Sequence, residues 1–244
     1  EVFSTKWILD CIENYGDEIA LVLMGGVNYY SGQAFDMKAI AQKSHEYGCI
    51  IGFDLAHAAG NLEMHLHDWG VDFAAWCGYK YLNGGPGAPS GVFIHERHLR
   101  QKDIPRFEGW WGHDKSTRFK MPENFIPMDT AEAWQLSNPP ILAMAPLLAS
   151  LKIFHKAGIS NLREKSIKLT NYLEFLIKEK LESDIEIITP PTKTDRGCQL
   201  SLRMINPLEN IMGKLHEIGI IADWREPDVI RIAPIPLYNS YEDC

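Results

Sequence analysis

The chain has 244 residues, enough for one large or two modest domains, and its 45% hydrophobic and 23% charged content is that of a soluble globular protein. A net charge of −8 with no basic tract argues against nucleic-acid binding, and no apolar run approaches the roughly 20 residues of a membrane span or reads as a signal peptide. The five cysteines (Cys11, Cys49, Cys77, Cys198, Cys244) are odd in number and lack CxxC spacing, so a reduced, cytoplasmic protein is expected.

Phe3 to Gly16 reads as a helix, with Ser4 or Thr5 as cap, a stripe of Trp7, Ile8, Cys11 and Ile12, and Gly16 as the stop. Ile19 to Met24 is an apolar strand, and Gly25 to Gly32 a loop whose glycines permit close approach of a ligand or simply make a turn. Asp36 caps a helix to about Gly48, and Cys49 to Phe53 forms a strand leading into Asp54. Helix followed by strand, repeated, predicts parallel βαβ units. His65-Leu66-His67-Asp68 fits no common zinc spacing and has no cysteine near in sequence, so no metal site is expected.

The run from Val71 to Tyr79 reads as a strand buried on both faces, ending in Lys80 between two tyrosines. The loop Asn83 to Gly91 is glycine-rich but lacks the Gly-Lys-Ser/Thr ending of a nucleotide P-loop; its expected role is to leave room around Lys80. Val92 to Ile94 is a further strand. Residues 95–140 are irregular and aromatic-rich, with Gly109-Trp110-Trp111-Gly112-His113 packed under a loop or at a dimer contact. Ile141 to Gly158 is a long apolar helix despite Pro146, and Asn161 to Leu181 an amphipathic one. Ile185 to Ile188, Gln199 to Met204, Ile220 to Asp223 and Val229 to Ala233 read as strands, with a helix from Leu208 to Glu217 stopped by Gly219.

Two strands thus each deliver a charged residue at the carboxyl end, Asp54 and, 26 residues later, Lys80. In open α/β sheets that edge is where ligands bind. Separately, a lysine after a strand is ordinarily a solvated strand end, and an aspartate there a turn former or helix cap. Together, with His57 three residues after Asp54, they match what pyridoxal phosphate needs: an amine for a Schiff base and an acid to hold the proton on the ring nitrogen. Arg231 is either a salt-bridged strand arginine or a bidentate clamp for a carboxylate.

The segments Phe53 to Asn61, His67 to Ala74, Tyr79 to Asn83, Ser116 to Met121, Ser137 to Leu142, Arg196 to Leu200 and Arg231 to Ser240 resemble kynureninase, seven matches in register over most of the chain. The resemblance implies an α/β fold of the pyridoxal-phosphate-dependent transferase type (fold type I). Residues 1–140 would belong to the cofactor-binding large domain and 141–244 to a linking helix and an incomplete small domain. It implies hydrolysis of L-kynurenine, or its 3-hydroxy form, to an anthranilate and L-alanine, in a cytoplasmic homodimer with a shared active site. On that pattern Lys80 carries the cofactor and moves protons, Asp54 holds the ring nitrogen, and His57 orients the ring or Asp54. Tyr79 bonds the phosphate and helps proton transfer, and Gly25 lies near the phosphate. Trp110 and Asn138 lie at the cofactor, His113, Ser137 and Asn138 read the substrate, and Arg231 binds its α-carboxylate.

Kynureninases are longer than this chain, so it is expected to be a portion of such a protein, inactive and poorly soluble alone. Two rivals stand beside this expectation. One is another enzyme of the same fold type, a cysteine desulfurase or class V aminotransferase; a desulfurase needs a nucleophilic cysteine in a mobile loop, and no cysteine here clearly sits in one. The other is a catalytically silent folded fragment.

Overall fold

Ser4 sets the first element: its hydroxyl accepts the Trp7 backbone N–H at 3.1 Å and caps α1 (Thr5–Tyr15). The expected four-residue stripe narrows to Ile8 and Ile12, the two residues of this helix that are buried, while Trp7 stays 55% exposed. Asp36 caps α2 (Met37–Glu46) in the same way, accepting from Ala39 N at 2.9 Å. The computed structural model describes residues 2–101, 104–181, 183–206 and 209–244.

The first sheet has the order β1 (Leu21–Gly25), β2 (Ile50–Asp54), β3 (Phe73–Trp76), β4 (Gly91–Ile94). The first three strands are parallel and β4 returns antiparallel. The expected βαβ unit is present as β1-α2-β2, whereas the crossover from β2 to β3 is made of turns. Ile51, Phe53 and Ala74 pack on Ile8, Ile12 and Ile40 in one core, and each fully buried Ile or Phe side chain contributes about 1.5–3 kcal/mol. The expectation that β3 is buried on both faces does not hold: Ala74 is buried and Ala75 exposed. Leu21, Leu23, Ile50 and Val92 are exposed with Ala75, because α1 and α2 both cover the opposite face. β3 also ends at Trp76, four residues before Lys80.

Residues beyond β4 form short 3-10 turns, Glu96–His98, Trp110–Gly112, Arg118–Lys120 and Ala131–Trp134. Buried Arg118 organises the middle of this segment: it donates to the carbonyls of Trp111 and His113 and lies 4.3 Å from the Trp111 ring. Then α3 (Ile141–Ala157) runs through Pro146, and α4 (Ile159–Leu181) leaves it at 83°. Gly158 makes that corner with φ of +80°, a conformation that favours glycine.

The second sheet is antiparallel, in the order β5 (Ile185–Ile187), β6 (Leu200–Met204), β8 (Val229–Ile232), β7 (Asp223–Arg225). Ile177 of α4 packs on Leu200 and Leu202. The strand expected at Ile220 starts three residues later, because Ile220 N bonds Leu215 O and closes the end of α5 (Ile211–Glu217) after Gly219. The expected start of that helix, Leu208, lies outside the described residues.

The two sheets are tied at three places. Backbone carbonyls of Tyr29, Tyr30 and Ser31 accept from Gln199, Ser201 and Thr189. Asn61 bonds the His57 carbonyl and the Cys198 N–H, each at 3.0 Å. Gln33 bridges to Arg196, whose 2% exposed side chain reaches Glu174 at 2.5 Å, Asn171 at 2.8 Å and the Pro190 carbonyl at 3.3 Å. Removing one partner of a buried pair leaves an uncompensated charge. Glu174 would keep Lys178, so Arg196→Ala is expected to cost about 3 kcal/mol, the low end for buried pairs. Urea unfolding measures it; a loss under about 1 kcal/mol, the range of surface pairs, would refute this role.

Candidate functional site

A cavity of about 710 Å³ opens at the carboxyl ends of β1 and β2 and is closed from the other side by β7 and β8. Gly25 and Asp54 sit level on adjacent strands as the last residues of β1 and β2. The structure brings five of the residues singled out from sequence to this one cavity: Gly25, Asp54, His57, Lys80 and Arg231.

Lys80 lies in a loop that the glycines allow to close on itself. Gly84 N bonds Gly78 O at 2.9 Å, and a Cβ on Gly78 would run into the Pro89 carbonyl. The two limbs are therefore in contact, which is a tighter role than leaving room. Asn83 takes φ of +54°, which Asn tolerates, and its N–H bonds the Lys80 carbonyl at 2.9 Å. From α3, Ser150 donates to Leu82 O at 2.6 Å, so a helix far along the chain fixes the lysine loop.

Lys80 Nζ stands 3.2 Å from His57 Nε2. Burial, then the charges of Lys80 and Arg231, lowers the His57 pKa to about 4. His57 is therefore neutral at neutral pH and can bond the lysine without adding charge. Its other ring nitrogen, Nδ1, is buried without a partner among the described residues. Asp54 Oδ1 accepts from Ala56 N at 2.8 Å. The Tyr81 ring meets His57 edge-on at 5.8 Å, and its hydroxyl donates to Gln199 Oε1 at 3.4 Å. Burial holds the Tyr81 phenol well above its ordinary pKa, so it stays protonated.

Arg231 Nη1 donates to the Tyr29 carbonyl at 2.6 Å, and Nη2 pairs with Asp223. Asp223 also takes Arg225 at 3.0 Å. Burial lowers the Arg231 pKa from its ordinary value.

The remaining expected site residues lie elsewhere in the single chain. Tyr79 is 51% exposed beside Lys80, off the cavity, and a hydrogen bond with Cys77 raises its phenol pKa. Trp110 is 44% exposed, and Ser137 and Asn138 are exposed. His113 is buried, with Nε2 on Thr117 Oγ1 at 3.0 Å and Nδ1 accepting from Ile126 N. Among the described residues no group of three or more His, Cys, Asp or Glu side chains could hold a metal ion. Conversely, Tyr29, Tyr81, Asn83, Gln199, Asp223, Arg225 and Tyr238 line the cavity without having been singled out. The available signal was charge alternation: Asp223 and Arg225, two apart on a strand, share a face.

His57 makes a pH prediction. Its folded pKa, about 4, lies below the unfolded value of about 6.5. Above pH 6.5 both states are neutral and it contributes nothing; as pH falls from 6.5 towards 4 the unfolded state takes the proton first, so stability is progressively lost. His57→Gln should flatten the fall of melting temperature across that window. Parallel curves for the two proteins would count against a proton-poor His57.

A profile described as the kynureninase C-terminal domain matches residues 162–244. Over the whole chain the relatives include kynureninases of Koribacter versatilis (57% identical, covering 97% of this chain and 56% of that protein), Myxococcus xanthus (56%, covering 100% and 57%) and Flavobacterium psychrophilum (53%, covering 97% and 56%). The chain thus spans little more than half the length of the relatives it matches. Among solved structures, it superposes on a cysteine desulfurase of Thermococcus onnurineus (TM-score 0.77, 19% identity, 96% of this chain and 60% of that one). A cystine C–S lyase bound to cysteine persulfide (0.78, 18%, 97% and 62%) and an alanine–glyoxylate aminotransferase of Nostoc (0.73, 18%, 100% and 63%) are similar in the same way. At such identities the superpositions establish the fold, the pyridoxal-phosphate-dependent fold type I. The sequence matches go further: along nearly its whole length the chain is 53–57% identical to part of proteins named kynureninase.

Proposed function

We propose that this chain supplies the cofactor lysine and the substrate clamp of a pyridoxal-phosphate-dependent hydrolase. That enzyme converts L-kynurenine or its 3-hydroxy form, with water, to L-alanine and anthranilate or 3-hydroxyanthranilate. The observation that carries this reading is the convergence of Lys80, Asp54, His57 and Arg231 on one cavity in a chain 52–57% identical to kynureninases. The cavity suits the cofactor in a second respect. His57 Nδ1, Asn83 Nδ2 and Arg231 Nε are buried polar atoms without partners among the described residues, and all three residues line it. Such atoms are rare in folded proteins, and a bound molecule that completes the bonding is one explanation for three of them at one cavity.

Lys80 Nζ would hold the cofactor covalently, Asp54 would keep the proton on its ring nitrogen, and neutral His57 would bond at Nε2. Bound there, pyridoxal phosphate supplies an electron sink for cleavage next to the substrate carbonyl. As a free amine, Lys80 Nζ would take and return the proton at the substrate Cα. Overall, water adds to the γ-carbonyl carbon and the Cβ–Cγ bond breaks, the proton ending on the alanine Cβ. Arg231 would fix the α-carboxylate. Tyr79, held protonated beside Lys80, would serve the phosphate and proton transfer.

Trp110, Ser137 and Asn138, exposed and off this cavity, act in the site of a second copy; the functional unit is a homodimer. His113, buried in the same segment, positions it. We divide the chain at 140/141 into a cofactor-binding part and a linking helix with a small domain. A cytoplasmic setting suits five free cysteines. No cysteine lines the cavity among the described residues, and burial pushes the Cys198 thiol up to about 12, which speaks for the hydrolase over a desulfurase.

Two experiments on the full-length enzyme test the reading. Borohydride reduction should leave a pyridoxyl adduct on Lys80, found by mass spectrometry, and Lys80→Ala should abolish the adduct and nearly all anthranilate release. An adduct on another lysine would overturn the assignment. Arg231→Lys should raise KM for L-kynurenine at least about tenfold, because an ammonium cannot make the planar paired contact. Unchanged kinetics would remove Arg231 from the substrate site.

A further inference from the structure

Arg231 faces a carboxylate before any substrate arrives. Asp223 lies directly opposite it in the β7–β8 register, on the edge strand. The same carboxylate oxygen, Oδ2, takes Arg231 Nη2 and Arg225 Nη2. The three side chains differ in access: Arg231 is 11% exposed, Asp223 45% and Arg225 43%. The guanidinium of Arg231 is thus held deep, while Asp223 stands on the open rim with a second cation beside it.

The donor inventory of Arg231 sharpens this. Nη1 is committed to the Tyr29 carbonyl. Nε is buried without a partner among the described residues. A planar carboxylate binds arginine best through two parallel N–H groups; Nη1 spends one of its two N–H groups on the Tyr29 carbonyl, and the fork with a wholly unpaired member is Nε with Nη2. Asp223 already holds Nη2. Nη2 has a second N–H, but Asp223 keeps its negative charge on that nitrogen, so a substrate carboxylate at this fork competes with Asp223 for one guanidinium. Were Asp223 to swing into water alone, two carboxylates would face one guanidinium; with Arg225 as its partner, two cations balance two anions.

We propose that Asp223 is a resident carboxylate that competes with the α-carboxylate of an amino-acid substrate for Arg231, and that Arg225 receives Asp223 when the substrate displaces it. The inference rests on Arg231 being the substrate clamp. It makes the exchange a source of selectivity: an amine without a carboxylate cannot displace Asp223, and the arginine stays closed to it.

The test uses the full-length enzyme loaded with pyridoxal phosphate and L-alanine as the carboxylate probe, titrated by calorimetry. Asp223→Asn keeps the shape and removes the competing charge, so L-alanine should bind about three- to tenfold tighter, and KM for L-kynurenine should fall by a similar factor. Arg225→Gln takes away the acceptor for the displaced Asp223, so L-alanine should bind about threefold or more weakly. Unchanged or weaker L-alanine binding in Asp223→Asn, with the far-ultraviolet spectrum and cofactor absorbance of the parent, would overturn the competition. If Asp223→Asn does not fold, Arg225→Gln decides: weaker binding supports the exchange and unaltered binding refutes it. Arg231→Lys separates the two levels. If it leaves L-alanine affinity unaltered, the clamp itself is wrong; if it weakens binding while Asp223→Asn changes nothing, this inference alone fails.

Discussion

The cavity depends on where the loop between β1 and α2 is held. Tyr29, Tyr30 and Ser31 each offer a backbone carbonyl to the second sheet, to Gln199, Arg231, Ser201 and Thr189. These acceptors cannot be mutated away, and Ser31, Gln199, Ser201 and Thr189 are all buried. Hydrogen bonds shielded from water are costly to leave unmade, about 1–3 kcal/mol each. The loop therefore fixes the distance between the carboxyl edge of the first sheet and the strand carrying Arg231. Asn61 repeats the logic one turn beyond His57, joining the His57 carbonyl to the Cys198 N–H. The lysine and the arginine, 151 positions apart in the chain (231 − 80), face one space because of these ties.

Electrostatics in that space are arranged to keep a histidine neutral. Lys80, Arg225 and Arg231 all bear on His57, and Asp54 opposes them. Burial and the cations prevail, so His57 gives Lys80 a neutral partner at Nε2. A protonated imidazole in that position would repel the lysine and any cationic group bound beside it. Tyr81, kept protonated by burial, completes a wall that bonds without adding charge. The formal charges that remain are concentrated in one acid at the strand end, one lysine, and the Asp223–Arg225–Arg231 cluster across the cavity.

Much of this was legible because local chemistry decided it. Ser4 and Asp36 announce helices by their capping oxygens, and the apolar runs before Asp54 and Lys80 announce strands. Asp54 and Lys80, with His57 three residues after Asp54, could be placed together because parallel strands deliver their last residues to one edge, whereas the resemblance to kynureninase brought Gly25 and Arg231 to the site. What was not legible is non-local. The strand before Lys80 stops at Trp76 because the Gly78–Gly84 bond folds the chain into a loop, which an apolar run does not signal. The one-sided burial of the first sheet depends on which face α1 and α2 choose. Gln199 and Asp223 matter through partners across the fold, and a strand pattern says only which face they share.

Stability and function pull apart at the cavity wall. Six buried side-chain polar atoms lack a hydrogen-bond partner among the described residues, and half of them belong to the lining residues His57, Asn83 and Arg231. An apolar residue at any of these positions would relieve the desolvation cost of an unpaired group, about 1–3 kcal/mol. Asn83 adds a left-handed backbone, which glycine would adopt with less strain. A sequence shaped for the fold alone would give up these groups first. Elsewhere Arg106, Arg118 and Ser166 hold the other three, while Arg196 bonds three acceptors and Asp72 bonds His45, His98 and the Ile51 N–H. The three unpaired atoms gathered at one cavity are thus a local departure from the chain's own bonding, of the kind that consistency across levels predicts at functional positions.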